Sequence, residues 1–126
     1  MALLLLQLQF SLELAAECSR LVARRPPVTS PVISLCLDHL SHAMALAAVI
    51  AEGDTSWTAG AGAPVTAGAM PSLDRLVSLL GEARETAVQA CLDASGGREV
   101  ALLGMIAAAL ASHEVAVGHL DTSAGE

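Results

Sequence analysis

Three breaks divide this chain into four apolar-periodic stretches, and that division constrains the fold more than any other feature. The breaks are Arg24-Arg25-Pro26-Pro27, the segment from Gly53 to Ala69, and Ser95-Gly96-Gly97. Proline removes a backbone donor and clashes with the preceding turn, and glycine readily takes the left-handed conformation that ends helices. Between the breaks apolar residues recur every three or four positions, the period of a helix with one buried face. The hydrophobic content is 54%, drawn mainly from Ala, Leu and Val, with Phe10 and Trp57 as the aromatics. Ala and Leu favour helix over strand. The spacing therefore predicts an all-α single domain over residues 1–126, an up-and-down bundle of four helices spanning about 2–23, 31–52, 71–95 and 98–120.

Each stretch carries a candidate core stripe. In helix 1 it is Leu3, Leu6, Phe10, Leu14, Cys18 and Leu21. Helix 2 is expected to open on Ser30 as N-cap with Pro31 at the first helical position, and to bury Ile33, Leu37, Leu40, Met44, Ala47 and Ile50 before Gly53 stops it. Helix 3 repeats Leu73, Leu76, Leu80, Ala83, Ala87 and Cys91. Helix 4 carries Gly104, Ala108 and Ser112 four apart, a flat ridge that another backbone can approach closely and a candidate interface. Short connections make helices 1 and 2, and helices 3 and 4, antiparallel neighbours. The long Gly53–Ala69 connection either turns back locally or crosses the bundle, and it reads as a crossover, a lid or a binding segment. Trp57 within it is the candidate ligand-contacting lid residue.

Charge and cysteine usage narrow the function classes. The net charge is −7 and the six basic residues are all arginine, a poor counterion set for a phosphate backbone, so nucleic acid is not the expected partner. Cys18, Cys36 and Cys91 form an odd set without C-x-x-C spacing and read as free thiols suited to a reducing compartment. A cytoplasmic location is expected, with export as the alternative if a signal has been removed. The apolar start, Met1 to Leu6, lacks a basic n-region and reads as the first turns of a core helix. Elsewhere the longest charge-free helical run, Val100 to Ser112, is short for a bilayer, so no transmembrane segment is expected. No Ser or Cys sits in a strained nucleophile turn, and Gly60-Ala-Gly62-Ala-Pro64 lacks the Lys of a phosphate loop.

The densest polar group is Cys36-Leu-Asp38-His39-Leu-Ser-His42. His39 and His42 are three apart and Asp38 and His42 four apart, a spacing that can present them to one metal ion. His113 follows Ile106 by seven residues on the inner stripe of helix 4. Helix 1 adds Glu13 and Glu17, and helix 3 adds Glu82 and Glu85. Glu17, His39, His42, Glu85 and His113 are thus candidate ligands for a transition metal (iron, zinc or copper), with Cys36 for a softer ion. Surface salt links are the alternative role for the carboxylates.

Several pieces together resemble the actinobacterial ferritin-like domains of uncharacterised function, the DUF4439 type. They are Leu14-Ala-Ala-Glu17, His39-Leu-Ser-His42 with Ala43-Met-Ala-Leu46, Leu76-Val-Ser-Leu-Leu80 leading to Glu82 and Glu85, and the run Ala101 to His113. The usual ferritin-like metal pattern is a Glu on each of two helices and Glu-x-x-His on the other two. Here Leu110 stands three before His113 and His39 three before His42, so both pairs are broken. The resemblance therefore implies the fold without di-iron oxidation. The expected function is a non-enzymatic bundle that acts by association, as a homodimer or with a protein partner, motivated by the helix 4 ridge and by Leu3 to Leu6, which cannot all face one core. The alternatives are an altered bundle-centre metal site and a small-molecule binder with Trp57 in its lid.

Overall fold

The computed structural model describes residues 2–24, 29–53, 72–94 and 96–124. Each apolar-periodic stretch is a helix: α1 is Ala2–Arg24, α2 Thr29–Gly53, α3 Leu73–Asp93 and α4 Gly97–Ala124. Local chemistry sets the ends of α3. Ser72 has extended backbone (φ −148°, ψ 159°) and its Oγ accepts the Arg75 N–H at 3.1 Å, while Asp74 sits in the positive first turn. The helix ends where Ala94 turns extended. At α2 the expected cap is displaced: the helix begins at Thr29, so Ser30 lies inside it.

Side-chain pairs between helices establish the topology. The Cys36 thiol donates to the Ala15 carbonyl at 3.4 Å, across the antiparallel α1/α2 hairpin. Arg75, in the first turn of α3, lies 3.2 Å from Glu17 and 3.8 Å from Glu13 in the second half of α1, so α3 runs against α1. Arg98 at the start of α4 donates to both carboxylate oxygens of Glu52 at the end of α2, at 2.6 and 2.7 Å. Farther along the same pair, His113 meets Asp38 at 3.1 Å. Arg84 and Glu114 join α3 to α4, and Gly81 makes room for that carboxylate, since a Cβ there would stand 3.0 Å from Glu114 Oε1.

Every packed pair is therefore antiparallel, and α2 and α3 are parallel to each other. Gly53 and Ser72 stand at opposite ends of the bundle. Of the two options for the long connection, the crossing one is required. An extended chain covers roughly 3.3–3.6 Å per residue, so residues 54–71 have ample length for helices of about 30 Å. Trp57 and the expected lid lie outside the described residues.

The core matches the expected stripe most closely in α3, where Leu73, Leu76, Leu80, Ala83 and Ala87 are all buried and Cys91 is half-buried. In α4 the buried line is Leu103, Ile106, Leu110, His113 and Val117. In α1, Leu14, Cys18 and Leu21 are buried as expected, but Gln7 and Ser11 continue the stripe in place of Leu6 and Phe10; Leu6 is exposed and Phe10 half-buried.

The largest correction concerns α2. Ile33, Leu37, Leu40 and Met44, expected in the core, are 43%, 61%, 42% and 75% exposed. Ile50 is buried as expected and Ala47 half-buried, and the rest of the buried face carries Val32, Leu35, His39, Ala43 and Leu46. This helix has two apolar stripes, and the choice between them follows from what each brings. The inner one sets large aliphatic residues at both ends of the bundle and leaves Asp38 facing α4, where it meets His113.

By length and composition, Pro31–Glu52 and Gly97–Leu120 are each long and apolar enough to cross a membrane, with mean hydropathy 1.6 and 1.8. The charge-free run Val100 to Ser112 thus understates the apolar extent of α4.

The two faces of α2 differ in what truncation costs. Leu46→Ala is expected to lower unfolding stability by about 2–5 kcal/mol, the usual cost of a cavity in a packed core. Leu37→Ala is expected to change it by less than about 0.5 kcal/mol in the monomer. Urea unfolding of the two variants at high dilution checks the assignment.

Candidate functional site

Three helices bring polar side chains to the middle of the bundle. On α1, Gln7 and Ser11 are one turn apart and Glu17 lies farther along the buried side. On α2, His39 is fully buried and His42 nearly so, and α4 adds His113. The three imidazoles form one cluster with His39 at its centre. Its ring centroid is 5.8 Å from that of His42 and 5.0 Å from that of His113, with the rings edge-to-face at 75° and 86°. α3 contributes the apolar wall of Leu79, Leu80, Ala83 and Ala87.

Hydrogen bonding around the cluster is sparse. The Asp38 carboxylate accepts from His113 Nε2 at 3.1 Å, which assigns the proton to that nitrogen because a carboxylate only accepts. His113 Nδ1, His42 Nδ1, both nitrogens of His39 and both ends of the Gln7 amide are buried without a partner in the chain. Each such group costs on the order of 1–3 kcal/mol.

Burial dominates the protonation of the cluster. It drives the His39 pKa down to about 3, and the neighbouring His113 and His42 rings add to the shift. His42 is lowered by burial and by His113 against the opposing pull of Asp38, and His113 by burial against its hydrogen bond to Asp38. The centre is a group of neutral imidazoles near pH 7. The thiols are held protonated too: burial, then Cys36 and Glu17, pushes Cys18 up to about 12, and burial raises Cys36. Neither cysteine is placed to act as a nucleophile.

The expected ligand set is only partly brought together. His39, His42 and His113 converge, but Glu85 is exposed on the outer side of α3. Glu17 is buried and already committed to arginine, with Arg20 donating a hydrogen bond at 2.8 Å and Arg75 forming an ion pair at 3.2 Å. Among the described residues, no group of three or more His, Cys, Asp or Glu side chains stands in an arrangement that holds a metal ion. The donor set does not fit a carboxylate-bridged metal pair. Of the expected interface residues, Ala108 and Ser112 are exposed and Gly104 is half-buried, with open space where its Cβ would stand. This ridge lies on the outer side of α4.

The second candidate is the outer face of the α1/α2 hairpin. Leu12, Leu40, Met44 and Ala47 border one apolar hollow, and Val22, Ile33, Cys36 and Leu37 border another farther along the same groove. The sequence signal for this face is the doubled apolar pattern of α2, one stripe of which has to remain outside. No signal of that kind marks Gln7 and Ser11, which are ordinary polar residues except for their alignment with Leu14. No protein family model matches the chain, and neither a curated protein nor a solved structure matches it.

The cluster predicts a specific acid sensitivity. The free His value is 6.5 and the folded His39 value is about 3, so the folded state binds fewer protons between them. Stability is therefore complete above about pH 6.5 and falls as pH drops towards 3, by up to about 1.4 kcal/mol per pH unit for His39 alone. His39→Leu is expected to remove that component and to leave stability at pH 7 unchanged or raised. Urea midpoints from pH 7.5 to pH 4 check both; equal slopes in the two proteins would refute the assignment.

Proposed function

We propose that the protein is a non-enzymatic helical bundle that self-associates through the outer face of its α1/α2 hairpin. One observation carries this reading: Ile33, Leu37, Leu40 and Met44 form an exposed seam on a helix whose opposite face already fills the core. Folding of the single chain accounts for the inner face and leaves the outer one unexplained. A contiguous apolar patch of this kind marks an interaction surface rather than a random scatter of exposed leucines.

Charge singles out this face as the one where a second copy can approach. The chain carries a net charge of −7, so two copies repel at most surfaces. Between Thr29 and Gly53 the formally charged side chains are Asp38 and Glu52, and these turn to His113 and Arg98 on α4. The seam itself is uncharged. A parallel α2/α3 pair is also the helix order of ferritin-like bundles with one crossover. The metal chemistry of such bundles gains no support from the donor set around His39.

Sedimentation equilibrium from micromolar to millimolar concentration tests the reading. The expected outcome is a reversible monomer–dimer equilibrium for the wild-type chain. Leu37→Glu should shift it to monomer, with helicity and thermal midpoint kept at the monomer's values. A wild-type chain that stays monomeric throughout would overturn the proposal.

A further inference from the structure

The exposed seam of α2 has a finer pattern than its apolarity. Ile33, Leu37, Leu40, Met44, Ala47 and Ala51 are spaced four, three, four, three, four, the alternation of a two-helix coiled-coil seam. That spacing fits a helix in the groove better than a flat lipid surface or a compact ligand. The residues also taper along it, large at the N-terminal end and small at the C-terminal end.

Given self-association through this face, the geometry points to an antiparallel pairing of α2 with α2 of a second copy, about a two-fold axis between Leu40 and Met44. In that register Ile33 meets Ala51 of the second copy, Leu37 meets its Ala47, and Leu40 meets its Met44. Each layer then joins complementary sizes, and the volumes are even from end to end. A parallel pairing sets each residue against itself, crowding Ile33 and Leu37 at one end and leaving Ala47 and Ala51 apart at the other. Antiparallel helices also oppose their dipoles favourably.

The size of the face fits a reversible dimer. From Ile33 to Ala51 the seam is about 27 Å long at 1.5 Å per residue. With α1 packed about 8–10 Å to its side, the footprint is on the order of 500 Å² per protomer, below the roughly 800 Å² of a standard interface. Lys and Arg are absent from α2, and Asp38 faces α4, so no like charges meet across the axis.

Charge exchange between chains tests the register. Leu40→Glu and Met44→Lys are made as separate variants, because in one chain the two would pair with each other one turn apart. Both positions are exposed, so both variants should keep the wild-type helicity and monomer thermal midpoint. Each alone is expected to weaken dimerisation by about 100-fold, through buried unpaired charge. Their equimolar mixture should recover a dimer within about tenfold of wild type, since the carboxylate introduced in one chain then meets the ammonium introduced in the other. A wild-type dimer whose variants do not rescue each other overturns the antiparallel register and leaves self-association standing. A monomeric wild-type chain overturns both, whether or not it floats with phosphatidylcholine or phosphatidylglycerol vesicles.

Discussion

A buried carboxylate ties the two hairpins together. The Glu17 side chain is 1% exposed, and a charge that deep is costly unless it is paired. Arg20 supplies one partner from the same helix, and Arg75 supplies the other from the first turn of α3. The position of Arg75 depends in turn on Ser72, whose hydroxyl caps the helix on the Arg75 N–H. Helix start, ion pair and topology are thus one arrangement. If α3 ran parallel to α1, Arg75 would lie at the far end and Glu17 would keep its local partner alone. The crossing connection between α2 and α3 follows from where this carboxylate finds its second cation.

The polar centre works against stability and in favour of a single register. Aliphatic layers around Leu21, Val32 and Leu73 at one end, and around Ile50 and Leu103 at the other, supply the apolar burial. Between them stand the imidazoles and Gln7, with six nitrogen or oxygen atoms that the chain does not satisfy. Replacing these groups by aliphatic ones would remove a desolvation cost. It would also remove a constraint: sliding α2 by one turn carries His39 into an aliphatic layer and breaks the Asp38–His113 contact. Burial keeps the rings neutral, so the cluster separates states by hydrogen bonding and shape while the pH is near 7.

How far the fold can be read from sequence differs by helix, for physical reasons. α3 is amphipathic, with Asp74, Ser78, Glu82, Glu85 and Gln89 on its outer side beside the exposed Val88 and Leu92, so one stripe alone runs the length of the helix and Leu73 to Ala87 are legible directly. α2 and α4 carry apolar residues all round, and periodicity alone cannot choose a face when two faces qualify. In α2 the longer run of large residues is the outer one, so the heptad-like seam passes for the core. The histidines stand out because imidazole is unusual in an apolar run; Gln7 and Ser11 do not, because their burial depends on helix phase. Glu85 is misplaced by sequence for the same reason, being two residues from Ala83 and Ala87 and therefore on the far side of α3. The direction of the long connection needs pairs such as Arg75–Glu17, which no local pattern encodes.

α2 and α4 pose the same question, why a helix should be apolar on the outside, and admit different answers. The large apolar residues exposed on α4, Val100, Met105 and Val115, are five and ten residues apart. At 3.6 residues per turn they fall within about 140° of one another, and Met105 and Val115 share an exposed line with Ala101, Ala108 and Ser112, in which small residues predominate. That line exposes less large aliphatic surface than the outer face of α2, where Ile33, Leu37, Leu40 and Met44 follow one another. On α2 the exposed residues line up, continue into a groove shared with α1, and lack charge along their whole length. An aligned seam is costly to leave in water and adds nothing to the core of its own chain. Its retention in an acidic protein is explained when a second surface covers it, and an identical seam is the surface always present at equal concentration.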